Sequence, residues 1–306
     1  MTMRIPIVQY PRIVTDNLSW FRSEFATREQ EKHFCEYVTG LIAGDKATVA
    51  AINALFLNKN DQSALNRFLT EAKWDEARVN RRRVEYELAR LNRRPVSARA
   101  GRLIVDDTLI HHTRCSMEGL AYLRDHSINR NVWAHNVVTS YYVNRSDQFP
   151  VDFRFYFQFN RKHEDEVLRQ AVAHLQQHFT VESLREYLLK LISYHYREQL
   201  YHPKTALAGQ LVRQAVAWRL PFSVVLFDSW FLRWPLVQVI QEVEKDWVGA
   251  CPKDRKVLVK NQWMQIGNYI ATIPATAYRP YRIGPHLYWA FSKVLPMQCL
   301  QGQKVR

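Results

Sequence analysis

Two short stretches of the chain share one design, a run of branched apolar residues closed by carboxylates. Leu103-Ile104-Val105 runs into Asp106-Asp107-Thr108, and Val224-Val225-Leu226-Phe227 runs into Asp228-Ser229. A buried strand with an acid at its carboxyl end places an oxygen ligand at the rim of a sheet, where open α/β sheets bind their ligands. Phosphodiester cleavage needs an in-line attacking oxygen and neutralisation of the charge that grows on the phosphoryl group and the leaving oxygen. Two divalent ions about 4 Å apart do both, held by a few carboxylates and the phosphate itself. Mg2+ suits such a site, because it takes hard oxygen ligands and keeps several waters. Asp is also favoured after a strand as a plain turn or helix cap. That explanation weighs heavily for one strand-end Asp and less for two matching ones in a basic chain. Adjacent strand residues point to opposite faces, so either Asp106 or Asp107 could be the ligand.

The charge balance agrees with a phosphate-bearing partner. The 306 residues carry 43 Lys+Arg against 29 Asp+Glu, a formal net charge of +14. This surplus favours a polyanion, nucleic acid before membrane. No run of about 18 apolar residues marks a membrane span. Met1 to Tyr10 is mixed and contains Pro6, unlike a signal peptide. The expectation is a cytoplasmic protein with no membrane partner. Cys35, Cys115, Cys251 and Cys299 are scattered with no CxxC pair, which argues against structural zinc and a disulfide framework.

The elements that must position these acids can be read in order. Residues 1 to about 26, with Pro6 and Pro11, read as an extended lead-in. Thr27 and Gln30 resemble a capping box, followed by Phe34, Tyr37, Val38, Leu41 and Ile42 at helical spacing and a stop at Gly44. Further helices are expected through Val49–Phe56, after Asp61, and from Ala77 to Leu91. Together they make a helical N-terminal domain, 1–98, expected to bind DNA. Its last helix carries Arg78, Arg81, Arg82 and Arg83, which could contact DNA phosphates without base specificity. The plainer alternative is a solvated face with Glu85 and Glu87 as local partners. Pro95 to Ala100 reads as a linker.

The period then changes to that of strands. Leu103–Val105, Val132–Val143 and Val151–Phe159 are β candidates, the last apolar at every odd position. Helical spacing returns through Val167–Leu175, Leu184–Leu191 and Leu207–Val216. A strand Phe222–Phe227 and a helix with Leu236, Val239, Ile240 and Val243 follow. A strand pair is expected around Trp247–Cys251 and Val257–Val259. Three strands, helices, a strand, a helix and a further strand fit a ribonuclease H-like α/β fold. Strand one would lie centrally with the Asp228 strand beside it, bringing the two acids to one sheet edge.

Weaker candidates surround this frame. His111, His112, His126 and His135 follow the first acid but match no standard ligand spacing, so they read as surface or DNA-facing residues. Tyr278, Tyr281, Tyr288 and Trp289 could stack on bases, although such residues more often pack a core or interface. Lys253, Lys256 and Lys260 are candidates for phosphate contacts.

The chain resembles the DDE-superfamily transposases of bacterial insertion sequences. The resemblance covers essentially the whole chain and rests on Leu103–Thr108, on Lys204–Trp230 (KTALAGQLVRQAVAWRLPFSVVLFDSW), on Trp247–Lys253 (WVGACPK), and on a helical segment from Glu29 to Asp75. It implies that Asp106 is the first acid and Asp228 the second, both catalytic and both ligands of Mg2+ in a two-ion site. It also implies a ribonuclease H-like catalytic domain, 99–306, that nicks the ends of an element and joins the 3′ hydroxyl to target DNA. Such an enzyme would be bacterial and nucleoid-associated, with transposon ends and target DNA as partners; pairing into a homodimer is compatible with it. One departure stands out. The family's third acid is a glutamate on a helix after an insertion, and the chain ends at Gly302–Arg306 in what looks like that insertion. Glu242 and Glu244 come too early, and the apolar positions around Glu242 turn it to solvent. The expectation is therefore a truncated, inactive transposase. The alternative is a catalytically dead DNA-binding protein that recognises element ends or represses transposition. A third reading is an unrelated metal-dependent nuclease.

Overall fold

The computed structural model of the chain describes residues 5–57, 61–94, 100–113, 117, 119–157, 161–178, 180–189 and 201–306. The expected linker, apart from Ala100, lies outside the described residues, as do Cys115, Phe159 and Leu191. The chain divides into two compact units, Met1–Arg94 and Pro95–Arg306.

The first unit is built from helices α1 (Arg12–Phe21), α2 (Arg28–Ala43), α3 (Val49–Asn53), α4 (Gln62–Thr70) and α5 (Glu76–Asn92). Helix α1 replaces the expected extended lead-in. Pro11 stands just before its first turn, and Val14, Asn17, Leu18 and Phe21 form its covered side at spacings of three and four. Thr27 caps α2 by accepting the Gln30 amide at 3.2 Å, while Gln30 Oε1 accepts the Ala26 amide at 2.8 Å. This is a capping box displaced by one residue. The buried side of α2 is Cys35, Glu36, Thr39 and Gly40, and the expected core residues Leu41 and Ile42 are exposed. The reason is close helix packing. A Cβ at Gly40 would lie 2.3 Å from Ile52 Cγ2, so α3 can approach only the small-residue face. Phe25, Ile52, Phe56, Leu65 and Phe68 form the core beneath.

The second unit is organised by a six-stranded sheet of β1 (Gly101–His111), β2 (Ala121–Asp125), β3 (Arg130–Val143), β4 (Gln148–Tyr156), β5 (Phe222–Phe227) and β6 (Asp246–Gly249). The order is β2-β3-β1-β5-β6, with β4 also on β3. β3 runs antiparallel to β1, β4 antiparallel to β3, and β5 and β6 parallel to their neighbours. Antiparallel strands followed by helical crossovers to two parallel ones give the ribonuclease H-like arrangement expected from the sequence, with β1 central.

Strand β1 is longer than its apolar run. β3 pairs with it from Arg102↔Val143 to His111↔Ala134, whereas pairing with β5 stops at Val105↔Phe227. The acids thus sit within β1, at the point where its parallel partner ends. The expected pairing of Trp247–Cys251 with Val257–Val259 does not form. β7 (Lys256–Val259) turns back instead onto β8 (Gln262–Gln265), through Lys260 and Asn261 at φ 49° and 62°. Positive φ at both loop positions is what a type I′ hairpin turn requires. Two further hairpins follow, β9 (Arg279–Ile283) with β10 (His286–Ala290), and β11 (Leu295–Pro296) with β12 (Lys304–Val305). Among the described residues, no helix is long and apolar enough to cross a membrane.

The two faces of the sheet differ. Leu103, Val105, Val138, Tyr142, Val225 and Phe227 are buried on one face, against the helices Lys204–Ala217 and Trp234–Glu242. Those helices pack closely, Gly209 admitting Val239 at 3.2 Å from where a Cβ would stand. The other face is open. There Ile110, Trp133, Phe153, Phe155 and Val248 remain 39–61% exposed, and Asp106 stands among them opposite Thr139. A bulge between Ser140 and Tyr141 shifts the register of β4. Phe149 therefore packs on Tyr142 (ring centres 5.1 Å apart) on the covered face, while Phe153 and Phe155 fall on the open one.

Candidate active site

The parallel register Val105↔Phe227 brings Asp106 and Asp228 to the same edge, since each acid is the next residue on its strand. Asp228 is held from both directions. Its Oδ1 accepts the Trp230 and Phe231 amides at 2.9 and 3.3 Å, capping the short helical turn Ser229–Phe231, and Phe231 is fully buried. Before it, Phe227 stacks on Trp247 and lies over Gly249, where a Cβ would come within 2.3 Å of the ring. The Asp228 carboxylate thus serves as a cap through one oxygen and keeps the other toward solvent.

Asp106 Oδ1 accepts the Asp107 amide at 2.8 Å, and Thr139 Oγ1 donates to the Asp106 carbonyl at 3.2 Å. Its carboxylate is open to solvent on one side yet flanked by the sheet. Partial desolvation, and then the negative charges of Asp228 and Asp107, raise its pKa above the usual carboxylate value. Asp107 projects to the covered face. Lys204 Nζ reaches its Oδ2 at 2.7 Å and Asn136 Nδ2 donates to the same oxygen at 3.1 Å. The Lys204 ammonium also sits 5.0 Å from the Trp230 ring centre and 5.2 Å from that of Tyr156. Arg233 approaches the Trp230 ring at 5.6 Å.

Lys204, Asn136 and Trp230 were given no role on sequence grounds. One signal was present: Lys204 opens a helix directly after Pro203, where the positive end of the helix dipole disfavours a cation unless an anion lies opposite.

The two acids are hard oxygen donors side by side, the donor type a divalent cation takes. Among the described residues, no group of three or more His, Cys, Asp or Glu could hold a metal ion. Glu242 is on the exposed side of its helix, paired with Arg213 at 2.7 Å. His111 Nε2 meets Asp125 at 2.7 Å, and His112 and His135 face each other at 3.0 Å, while His126 is exposed.

The arginines of α5 are engaged within the first unit. Glu24, 3% exposed at its side chain, takes Arg78 Nε at 2.8 Å and Arg82 Nε at 2.9 Å. These contacts hold the carboxyl of Glu24 below its ordinary pKa, the Arg82 hydrogen bond first. Arg81 pairs with Glu85 at 3.1 Å, and Arg83 donates to Asn80 at 2.7 Å. Counting acids near α5 in sequence missed Glu24. In the second unit Lys253 is exposed in the turn after β6, and Lys260 is exposed in the β7–β8 turn.

A family model described as DDE superfamily endonuclease matches residues 21–265. Among solved structures, the Drosophila P element transposase strand transfer complex is similar at 10% identity and a TM-score of 0.32, over 83% of this chain and 51% of that one. The chain thus spans about half the length of that transposase chain. A search of the curated proteins found no match. With the family match running from the end of α1 through β8, the chain belongs to the DDE superfamily of endonucleases.

Proposed function

We propose that the chain is the DNA-cleaving and strand-joining part of an insertion-sequence transposase, with Asp106 and Asp228 as its metal-binding catalytic carboxylates. The observation that carries this reading is the β1–β5 register, which stands the two acids together at the sheet edge on separately anchored backbones. Mg2+ held there would neutralise charge on the phosphate, with water and phosphate oxygens completing its shell. Asp228 is oriented by the amides it caps, and Lys204 keeps Asp107 on the far side of the strand. Thr139, half-buried opposite Asp106 on the open face, donates its hydroxyl to the Asp106 carbonyl and steadies the strand at that acid. Lys253 and Lys260, together with Arg78, Arg81, Arg82 and Arg83, are proposed phosphate contacts along the DNA. Family membership supports DNA as the partner. The test is Mg2+-dependent nicking of DNA by the purified chain, with Asp228→Ala as control; equal activity in the variant rejects the site.

A second reading is a catalytically silent protein that binds element ends or represses transposition. It is compatible with the two-carboxylate set, since among the described residues no group of three or more His, Cys, Asp or Glu that could hold a metal ion is formed. Retention of DNA without nicking, at every Mg2+ concentration tried, would select it.

A further inference from the structure

We propose that the β9–β10 hairpin is a strand-separating wedge that enters DNA where base pairs are open and stacks unpaired bases on both of its faces. The hairpin pairs through five residues on each strand, from Arg279↔Ala290 to Ile283↔His286, in a sheet of its own. Its loop is Gly284-Pro285, with Gly284 at φ +56° and Pro285 fixed by its ring, the pattern of a stiff type II′ turn. Every residue of both strands is exposed. Cross-strand pairing puts Tyr281 opposite Tyr288 on one face, with Arg279 and His286 beside them. Trp289 opposite Pro280 and Leu287 opposite Arg282 make the other. Tyr281, Tyr288, Leu287 and Trp289 are 50–64% exposed. A bare two-stranded hairpin is marginal in water, and exposed aromatics on both its sides suit a surface that is covered when it works.

Charge identifies the occupant. From Arg255 to Arg306 the sequence contains eight Lys or Arg and no Asp or Glu. The aromatic faces therefore lie in a segment with no acidic side chain to neutralise it, which matches a polyanion whose bases offer flat π-faces. A paired duplex would use only one side of such a hairpin; two separated strands would use both. The wedge rests on the reading of DNA as the partner and adds the class of DNA, an opened duplex end.

The test uses the whole chain without metal, so that binding is read apart from cleavage. Affinities are compared for a fully paired duplex and a forked duplex of the same length, with a fluorescent base analogue at the fork. The fork is expected to bind roughly tenfold or more tighter, the worth of stacking even one base. Trp289→Ala and Tyr281→Ala/Tyr288→Ala each remove preference for the fork and quench less of the analogue, with unchanged melting curves because the residues are exposed. Equal binding of fork and duplex overturns the wedge and leaves DNA as partner. Absence of binding to either DNA overturns both. The wedge is also overturned if the variants keep the fork preference, or if the hairpin aromatics are needed instead for self-association or for binding to anionic lipid vesicles.

Discussion

Lys204 and Asp107 lock together at 2.7 Å on the helix-covered side of the sheet, while the neighbouring Asp106 projects to the open side next to Asp228. The pair is well covered, with Lys204 14% and Asp107 22% exposed at the side chain. Lys204→Met would leave the partly buried Asp107 carboxylate with the neutral donor Asn136 but no counter-charge, and is expected to destabilise the protein by about 2 kcal/mol. A thermal melt checks this, and the double variant Lys204→Met/Asp107→Asn should recover part of the loss. Asp107→Asn should lower stability with little effect on Mg2+ binding, and Asp106→Asn should do the reverse.

The raised pKa of Asp106 sets a pH dependence. Its folded state holds the proton more tightly than the unfolded chain does, so the ionised carboxylate opposes folding at neutral pH. That penalty fades as pH falls through the folded pKa and is gone below the unfolded one. In metal-free protein Asp106→Asn should therefore raise the melting midpoint at pH 7, and the gain should vanish in acid. Mg2+ affinity of the unaltered protein, read by calorimetry, should fall over the same acidic range, because the proton and the cation compete for one carboxylate.

Gly249 supports Asp228 from beneath, since any side chain there meets the Phe227 ring. Gly249→Ala must push Phe227 aside, an overpacking cost of about 1–3 kcal/mol. Phe227 immediately precedes Asp228, so nicking activity should drop further than the loss of folded protein explains. Activity per folded molecule, at a temperature where both proteins are fully folded, measures the difference.

The α5 arginines should separate into two behaviours. Arg82 is joined to Glu24, Glu85 and Ser23, so Arg82→Gln should lower the melting midpoint. Arg81 makes the exposed Glu85 pair, worth little in water, so Arg81→Gln should leave the midpoint in place while weakening DNA retention at low salt. Unchanged retention after replacing Arg81, Arg82 and Arg83 together would remove this helix from the DNA path.

The β5 strand and its closing acid were legible because a parallel strand between two neighbours reads as a near-continuous apolar run, and Phe222–Phe227 is apolar except at the exposed Ser223. The central place of β1 followed from the order of strands and helices. What periodicity could not convey is which side of a strand is covered. Phe153 and Phe155 alternate as core residues do, yet they face outward. Helix α1 was hidden by the prolines before it. The β9–β10 hairpin was hidden by Pro280 and Pro285, which weaken any strand signal. Lys204 was passed over because its partner Asp107 lies far away in sequence; its place at a helix start signals that an anion is needed but not which one.

The open sheet face also governs how the molecule behaves in bulk. Ile110, Trp133, Phe153, Phe155 and Val248 give the folded protein an adhesive side, so an environment-sensitive dye should brighten on it before any melting begins. What keeps such molecules dispersed is mutual repulsion from a net charge of +14. Salt shortens the reach of that repulsion to about 10 Å at 0.1 M and about 3 Å at 1 M, and leaves the apolar attraction intact. The protein should therefore be clear in dilute buffer and turbid in concentrated salt, the opposite of what a chain clumped by opposite charges would do.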